Sequence, residues 1–148
     1  MDLILWRHAE AQDGIPDHAR ALTAKGFKQA GKVATFLRQH LPGDCRILVS
    51  PATRTQQTVA ALTEHFTIAP TIAPGASALA VLHAARWPDA GGTVLVVGHQ
   101  PTLGEVASHL IGCEDTTLSI KKGSIWWFSQ RDGSSQVTLR LVITPDFL

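Results

Sequence analysis

The sequence LILWRH at Leu3–His8 is a short apolar run that ends in an arginine and a histidine. Its length and its branched and aromatic side chains are typical of a buried β-strand. A strand that ends in Arg7-His8 places a cation and an imidazole at the carboxyl edge of a sheet, where ligands bind in open α/β folds. Taken alone, the dipeptide is explained equally well by polar residues at the point where a strand reaches the surface.

Two further apolar runs share the character of the first. Arg46–Val49 and Thr93–Val97 are continuous and apolar, as in parallel strands that are covered on both faces. The last third of the chain differs, because the β-rich runs Ser124–Gln130 and Gln136–Ile143 flank the turn-forming sequence RDGSS at 131–135. This pattern predicts an antiparallel hairpin.

The segments between these strands carry apolar residues at helical spacing. In the first segment the apolar face starts at Phe27, and Thr23 is the expected N-cap; Ser50 is the expected N-cap of the second helix. We predict helices over about Ala24–His40, Pro51–His65, Ser77–Trp87 and Pro101–Ile111.

The order of the elements, β-α-β-α-α-β-α-β-β, determines the expected fold class. It predicts a three-layer α/β/α sandwich with a mostly parallel central sheet and an antiparallel C-terminal edge. A chain of 148 residues without an internal repeat or linker is expected to form a single domain over residues 1–148.

Composition limits the kind of partner. A net charge of +1 argues against a broad electrostatic surface for nucleic acid or an anionic membrane, so an anion site must be local. Cys45 and Cys113 lie in no CxxC pattern and are interpreted as free thiols. The sequence has no signal-peptide pattern and no apolar run near the roughly 18 residues of a membrane span. We therefore expect a cytoplasmic protein.

Three distant segments are expected to meet at one cleft. The first strand ends in Arg7-His8 and the strongest one ends at His99, so both imidazoles lie at the carboxyl edge of the predicted sheet. Arg54 lies one turn into the second helix, whose N-terminus also favours an anion. Arginine matches phosphate oxygens bidentately, and two fixed cations oppose a metal ion. We expect a phosphate ligand and neither a metal nor a cofactor.

Phosphate beside an imidazole indicates a covalent mechanism. A neutral histidine nitrogen in line with the phosphorus can attack it and form a phosphohistidine intermediate, which water then hydrolyses. The arginines and the second imidazole would stabilise charge on the equatorial oxygens.

Four segments resemble the histidine phosphatase superfamily, also called the phosphoglycerate mutase-like family. They are Arg7-His8, Leu22–Gly26 with Gln29-Ala30, Ser50–Thr55 with Gln57-Thr58, and Gly98–Pro101, in the order of the family and spread over most of the chain. The short length, and Arg20 just before Leu22-Thr23, resemble most the SixA-type phosphohistidine phosphatases, which remove phosphate from histidine phosphotransfer domains.

The resemblance implies a role for each matching residue. His8 becomes the phosphorylated nucleophile, Arg7 and Arg54 become phosphate ligands, and His99 becomes the second histidine of the pocket. The further substrate contacts that it implies are Arg20 at the rim and a backbone amide of Gln100. Ala9 replaces the glycine of the common Arg-His-Gly form, so position 9 must avoid a conformation that only glycine adopts.

No strong general acid is present in the sequence. Longer members of the superfamily carry a carboxylate in an insertion between the pocket arginine and the second histidine, where this chain has only Glu64 and Asp89. Glu64 is expected roughly 15 Å along the second helix from Arg54, and Asp89 at the opposite edge of the sheet. Glu10 is the better remaining candidate and Asp17 the weaker one, although each is also explained as an exposed loop carboxylate.

The missing acid bears on the substrate. The imidazole of phosphohistidine can leave as a neutral species, so its departure needs less help from an acid than that of an alkoxide. The predicted function is therefore a phosphohistidine phosphatase acting on a phosphorylated histidine phosphotransfer protein. A small-molecule phosphomonoesterase acting on a phosphate ester, and a non-catalytic phosphate or phosphoprotein binding module, stay open as alternatives.

Overall fold

The computed structural model describes all residues from 1 to 148 and contains one six-stranded sheet. The strands are β1 Asp2–Arg7, β2 Arg46–Val49, β3 Thr67–Ile68, β4 Thr93–Gly98, β5 Ile125–Gln130 and β6 Val137–Ile143. Their spatial order is β3-β2-β4-β1-β5-β6. The first four strands are mutually parallel, and β5 and β6 run antiparallel at one edge. The predicted mostly parallel sheet with an antiparallel C-terminal edge is confirmed.

Helices cover both faces of this sheet. They are α1 Ala24–His40, α2 Thr53–Ala60, α3 Ala78–Ala85 and α4 Thr102–Leu110, with short 3-10 turns at Asp17–Ala19, Pro70–Ile72 and Pro145–Phe147. The helices α1 and α2 pack on one face, and α3 and α4 pack on the other. None of the helices combines the length and the apolar character that crossing a membrane requires.

Strand β1 lies at the centre of the sheet and supplies both layers of the core. Leu3 and Leu5 pack into the cluster under α3 and α4, whereas Ile4 and Trp6 pack into the cluster under α1 and α2. All four side chains are fully buried, and burial of such side chains contributes about 1.5–3 kcal/mol each. The period-2 alternation of a strand between two covered faces explains why the run is apolar throughout.

Two predicted helices are shorter than expected, and one expected cap is wrong. Helix α2 ends at Ala60, where the Arg38 guanidinium donates to the carbonyl oxygens of Ala61 and Leu62. Its N-cap is Ala52, without a capping side chain, so Ser50 is not the cap. Helix α3 stops at Ala85 because the following residue adopts a left-handed conformation.

The first turn of α1 differs from the predicted apolar face. Thr23 is the N-cap, as predicted, and its Oγ1 accepts a hydrogen bond from the Gly26 amide at 3.0 Å. The buried stripe begins at Gly26 and continues through Ala30, because this turn packs against the loop that follows β1. Phe27 is consequently 51% exposed and is not part of the core.

Gly26 brings α1 close to the loop after β1. A Cβ atom at position 26 would overlap the carbonyl oxygen of Glu10. The Thr23 amide donates to that same oxygen at 3.0 Å. The absence of a side chain at position 26 therefore lets the start of α1 hold the segment that follows His8.

Replacing Gly26 with alanine is expected to lower the free energy of unfolding by about 1–3 kcal/mol, because the backbone of Glu10 must move. Gly31 lies in the same helix, and a methyl group there would point into open space, with no heavy atom within 4 Å. Gly31→Ala is therefore the matched control and should raise stability by about 0.5–1 kcal/mol. Urea unfolding of both variants measures this difference. Equal effects of the two substitutions would contradict the close approach.

Candidate functional site

The register of the central strands brings three loop segments together at the carboxyl edge of the sheet. Arg7 of β1 lies opposite Gly98 of β4, and Val49 of β2 lies opposite Val97 of β4. The residues that follow each strand are therefore neighbours. The His8 amide donates to the Gly98 carbonyl at 3.0 Å.

His8 and His99 lie side by side in this cluster, together with two arginines. The centroids of the two imidazole rings are 5.4 Å apart. Arg54 is close enough to both rings to lower their pKa values electrostatically, and so is Arg7. The structure thus brings together all four side chains that the sequence analysis singled out for phosphate chemistry.

The hydrogen bonds of His8 define its tautomer. Its Nδ1 lies 2.7 Å from the carbonyl oxygen of Ala9, which can only accept, so Nδ1 carries a proton. Burial, reinforced by Arg54 and Arg7, lowers the pKa of His8 to about 4 and outweighs the opposing bond to Ala9. At neutral pH the ring is therefore uncharged, and Nε2 carries a lone pair.

Ala9 is placed to hold that ring. It is fully buried, and its amide donates to Oγ1 of Thr58 at 3.0 Å. Its φ is not positive, so alanine fits where the common form of the motif has glycine. Helix α2 in this way fixes the carbonyl group that orients His8.

Ser50 orients His99. The hydroxyl of Ser50 lies 2.7 Å from Nε2 of His99 and accepts a weaker bond from the Ala52 amide at 3.3 Å. When the Ser50 hydroxyl donates to Nε2, the proton of His99 lies on Nδ1. Burial, with Arg54 next in importance, lowers the pKa of His99 to about 3. Nδ1 of His99 is buried and has no partner.

The two arginines are anchored by different loops. Arg7 donates through Nη1 to the carbonyl oxygen of Ile120 at 2.7 Å. Arg54, whose side chain is 5% exposed, donates through Nη1 to the Asp17 carbonyl at 2.9 Å and through Nη2 to Oδ2 of Asp17 at 3.2 Å. The Nε atoms of both arginines are buried and unpartnered.

Three buried nitrogens of one cluster therefore have no partner in the protein: Nε of Arg7, Nε of Arg54 and Nδ1 of His99. An unsatisfied buried donor costs about 1–3 kcal/mol, and native proteins rarely leave one without a functional reason. An oxyanion suits the two guanidinium nitrogens, because it offers several acceptor oxygens to donors that carry positive charge. No three His, Cys, Asp or Glu side chains converge as a metal site would require.

The side chains of the two residues predicted at the edge of the site bond to other groups of the protein, and the contact predicted for the Gln100 backbone amide stays a prediction. Arg20 lies in the loop between β1 and α1, where its Nε donates to Oδ1 of Asp17 at 3.1 Å. The side chain of Gln100 donates to the Leu118 carbonyl at 2.7 Å and accepts from the Gly104 amide at 3.2 Å. Gln100 thereby braces the loop before β5, on which Arg7 is anchored.

The carboxylates Glu10, Glu64 and Asp89 lie at different places relative to the site. Oε2 of Glu10 accepts a hydrogen bond from the Thr23 hydroxyl at 2.7 Å. Glu64 lies beyond the end of α2, rather than within that helix as predicted. Asp89 lies in the turn before β4, whose other end leads to His99. Of these, only Glu10 lies beside one of the four clustered residues.

A polar groove of about 330 Å³ opens next to Arg7 and has no hydrophobic residue in its lining. It is lined by Arg7, Glu10, Lys25, Gln29, Ser119, Lys121, Lys122 and Asp146. The one ion pair within it joins the exposed side chains of Lys121 and Asp146 at 3.5 Å. The remaining lysines, Lys25 and Lys122, form no ion pair, so the groove is predominantly basic.

Three residues that position the site were not predicted from the sequence. Ser50 has the chemistry of the predicted helix cap, but it bonds to His99. Thr58 and Gln57 hold the amides of Ala9 and Leu22. The only signal for these residues was their place within the motif segments, because such bonds join residues 35 or more positions apart.

The chain is similar to known phosphatases in sequence and in structure. The profile of the histidine phosphatase superfamily (branch 1) matches residues 3–77. The phosphohistidine phosphatase SixA homolog of Haemophilus influenzae is 35% identical over 128 residues, which cover 76% of this chain and 78% of that protein.

Two solved structures share the fold. The protein histidine phosphatase SixA, complexed with tungstate, superposes with a TM-score of 0.84 and 25% identity over 99% of each chain. The alpha-ribazole phosphatase of Shigella flexneri superposes with a TM-score of 0.71 and 20% identity over 98% of this chain and 97% of that one. The predicted phosphoglycerate mutase-like sandwich is confirmed.

The imidazoles of His8 and His99 are expected to stay uncharged at pH 5, with a proton on Nδ1 of each ring. Burial and the neighbouring arginines cause this, since both disfavour imidazolium. Long-range ¹H–¹⁵N NMR through a pH titration reports both charge and tautomer, and His8→Asn and His99→Asn assign the signals. Titration of either ring near pH 6.5 would contradict the expected desolvation.

The same pKa values predict how stability depends on pH. Both folded-state pKa values, about 4 and about 3, lie below the ordinary value of 6.5. At pH values between the folded and unfolded pKa values of these histidines, the unfolded chain binds more protons than the folded one. The free energy of unfolding should therefore fall as pH is lowered from 7 to 4. Denaturation of the wild type and of His8→Asn across this range measures the contribution of His8. The fall in the free energy of unfolding with pH should be smaller in the variant.

Proposed function

Because this chain belongs to the histidine phosphatase superfamily, we propose that it removes phosphate from a histidine-phosphorylated signalling protein through a covalent intermediate on His8. The chain is a hydrolase of the phosphatase class. One observation carries the proposed chemistry: three unpartnered buried nitrogens lie in the same cluster as the unprotonated Nε2 of His8.

In the first step, Nε2 of His8 attacks the phosphorus of the substrate. A P–N bond to His8 forms as the bond between phosphorus and the substrate imidazole breaks. The departing imidazole is neutral when its other nitrogen carries a proton. Arg7, Arg54 and Nδ1–H of His99 donate to the phosphoryl oxygens and stabilise the charge that develops on them.

In the second step, water attacks the phosphorus of phosphorylated His8. The oxygen of water bonds to phosphorus, the P–N bond breaks, and the released phosphate takes up the proton that water loses. The electron pair of that bond returns to Nε2 of His8, while Nδ1–H stays bonded to the Ala9 carbonyl. His8 is regenerated as a neutral imidazole and can enter another cycle.

A protein substrate fits the surroundings of the site. No insertion lies between Arg54 and His99 to provide a dedicated acid, and phosphohistidine needs one less than an alkyl ester does. The basic groove beside Arg7 offers complementary charge to an acidic protein surface. The relative in Haemophilus influenzae is named as a SixA homolog, which supports a phosphohistidine substrate.

A small-molecule phosphomonoesterase is the second candidate, and Glu10 favours it. The carboxylate of Glu10 lines the groove next to Arg7, where it could protonate an alkoxide leaving group. The Thr23 hydroxyl holds this carboxylate in place. A site that binds phosphate without turnover is the third candidate, and the uncharged nucleophilic form of His8 argues against it.

A phosphorylated histidine phosphotransfer domain is expected to be hydrolysed with a higher kcat/KM than sugar phosphates or p-nitrophenyl phosphate. Rapid quenching should trap an acid-labile, alkali-stable phosphoenzyme. His8→Ala should lose both the intermediate and at least about 10³-fold in rate, because no other group can accept the phosphoryl. His65→Ala, at an exposed histidine, is the control. Turnover of small esters alone would decide for the phosphomonoesterase, and full activity of His8→Ala would refute the covalent step.

The basic groove is expected to affect the turnover of protein substrates and not that of small esters. The double variant Lys121→Glu/Lys122→Glu should lower kcat/KM for the phosphotransfer domain by roughly tenfold at low salt, since rim charges mainly affect association. Turnover of p-nitrophenyl phosphate should not change. The matched control is Lys28→Glu/Lys32→Glu, which makes the same charge change on the exposed face of α1 outside the groove. Equal losses in both double variants would reflect net charge and not the groove.

A further inference from the structure

The terminal nitrogens of Arg54 are occupied by a residue of the loop between β1 and α1. Nη1 donates to the carbonyl oxygen of Asp17 and Nη2 donates to its carboxylate, at 2.9 and 3.2 Å. The other carboxylate oxygen, Oδ1, accepts from Nε of Arg20 at 3.1 Å, and Arg20 is tied to the Gln12 carbonyl at 3.0 Å. Asp17 thus lies between two arginines, and its short helical turn packs against α2.

Three side chains of the cluster are almost completely buried in this arrangement. His8 is 6% exposed, His99 is 4% exposed and Arg54 is 4% exposed. The groove described above reaches Arg7 but is not lined by any of these three residues. Because so little of each side chain is exposed, movement of a neighbouring segment would widen the approach of a phosphoryl group on a protein to His8.

We propose that Asp17 is an internal anion that occupies Arg54 in the free protein, and that the incoming phosphoryl group displaces it and opens the loop. The inference rests on the phosphate site of the proposed function and goes beyond it. A carboxylate and a phosphoryl group both bind guanidinium through paired oxygens. Two anions at the same guanidinium repel each other, so binding of one disfavours the other.

The two arginine partners of Asp17 favour the role of an internal anion over that of a general acid. Although burial opposes the shift, hydrogen bonds and charge from Arg20 and Arg54 lower the pKa of Asp17. At neutral pH its carboxylate is therefore ionised and has no proton to give. The same two arginines make it a competitor for the anion site.

Displacement of Asp17 has a consequence for turnover. The energy of the contact between Asp17 and Arg54 is lost when phosphate binds and recovered when phosphate leaves. The contact therefore weakens retention of the product phosphate. Between turnovers the same contact holds the loop in place and limits access to His8.

The test is direct binding of inorganic phosphate to wild type, Asp17→Asn and Asp13→Asn, measured by isothermal titration calorimetry. Asp17→Asn keeps the backbone contact and the size of the side chain but removes the charge, so phosphate should bind roughly threefold to tenfold more tightly. Asp13 is exposed, lies in the same loop and forms no ion pair, so Asp13→Asn should bind as the wild type does. Asp17→Glu keeps the charge and should stay near the wild-type affinity.

Access to His8 provides a second measurement. Diethyl pyrocarbonate should modify His8 faster in Asp17→Asn than in the wild type, and phosphate should protect it in both. Unchanged or weaker phosphate binding by Asp17→Asn would overturn the inference, as would a loss of ester turnover at unchanged phosphate affinity, which marks a general acid. A wild-type protein that binds no phosphate would instead refute the phosphate site itself.

Discussion

The structure must accommodate a buried guanidinium at Arg54, a half-buried one at Arg7 and two buried imidazoles at one edge of the sheet. Such a group of cations would be prohibitively unfavourable if all four side chains were charged. Burial and mutual repulsion resolve this by holding His8 and His99 neutral. The two permanent charges are balanced in different ways, because Asp17 neutralises Arg54 whereas Arg7 relies on a backbone carbonyl. The burial and charge that lower both pKa values also leave Nε2 of His8 with the free lone pair that the proposed attack requires, beside two guanidinium groups that favour an anion.

The central strand links this site to the stability of the fold. The four buried side chains of β1 fill both layers of the core, and the two residues that follow them supply one guanidinium and one imidazole. A site on a rigid, doubly covered strand is held more precisely than one on a loop. The more exposed parts, the Asp17 loop and the lysine groove, are the parts that differ in function. In our proposals, one controls access to Arg54 and the other offers charge to a protein partner.

Much of the fold could be predicted from local pattern. Apolar runs and helical spacing identified every strand of four residues or more and all four helices, because those periods follow from backbone geometry. The errors lie at element ends and exposed faces. Ser50 has the chemistry of a cap but bonds to His99, and Phe27 has helical spacing but lies where α1 extends past the core. In both cases a contact with a distant segment decided the outcome.

The sequence by itself determined which residues are proposed to carry the chemistry and which strand ends hold them, since strand direction and motif order are local properties of the chain. Only the tertiary structure decided how those residues are charged and which of their atoms are available. The tautomer of His8 depends on the Ala9 carbonyl, which is held by Thr58, and the occupation of Arg54 depends on Asp17, 37 residues earlier. Burial and long-range hydrogen bonds decide the pKa values and which polar atoms lack a partner. Neither burial nor such bonds can be read from residues that are neighbours in sequence.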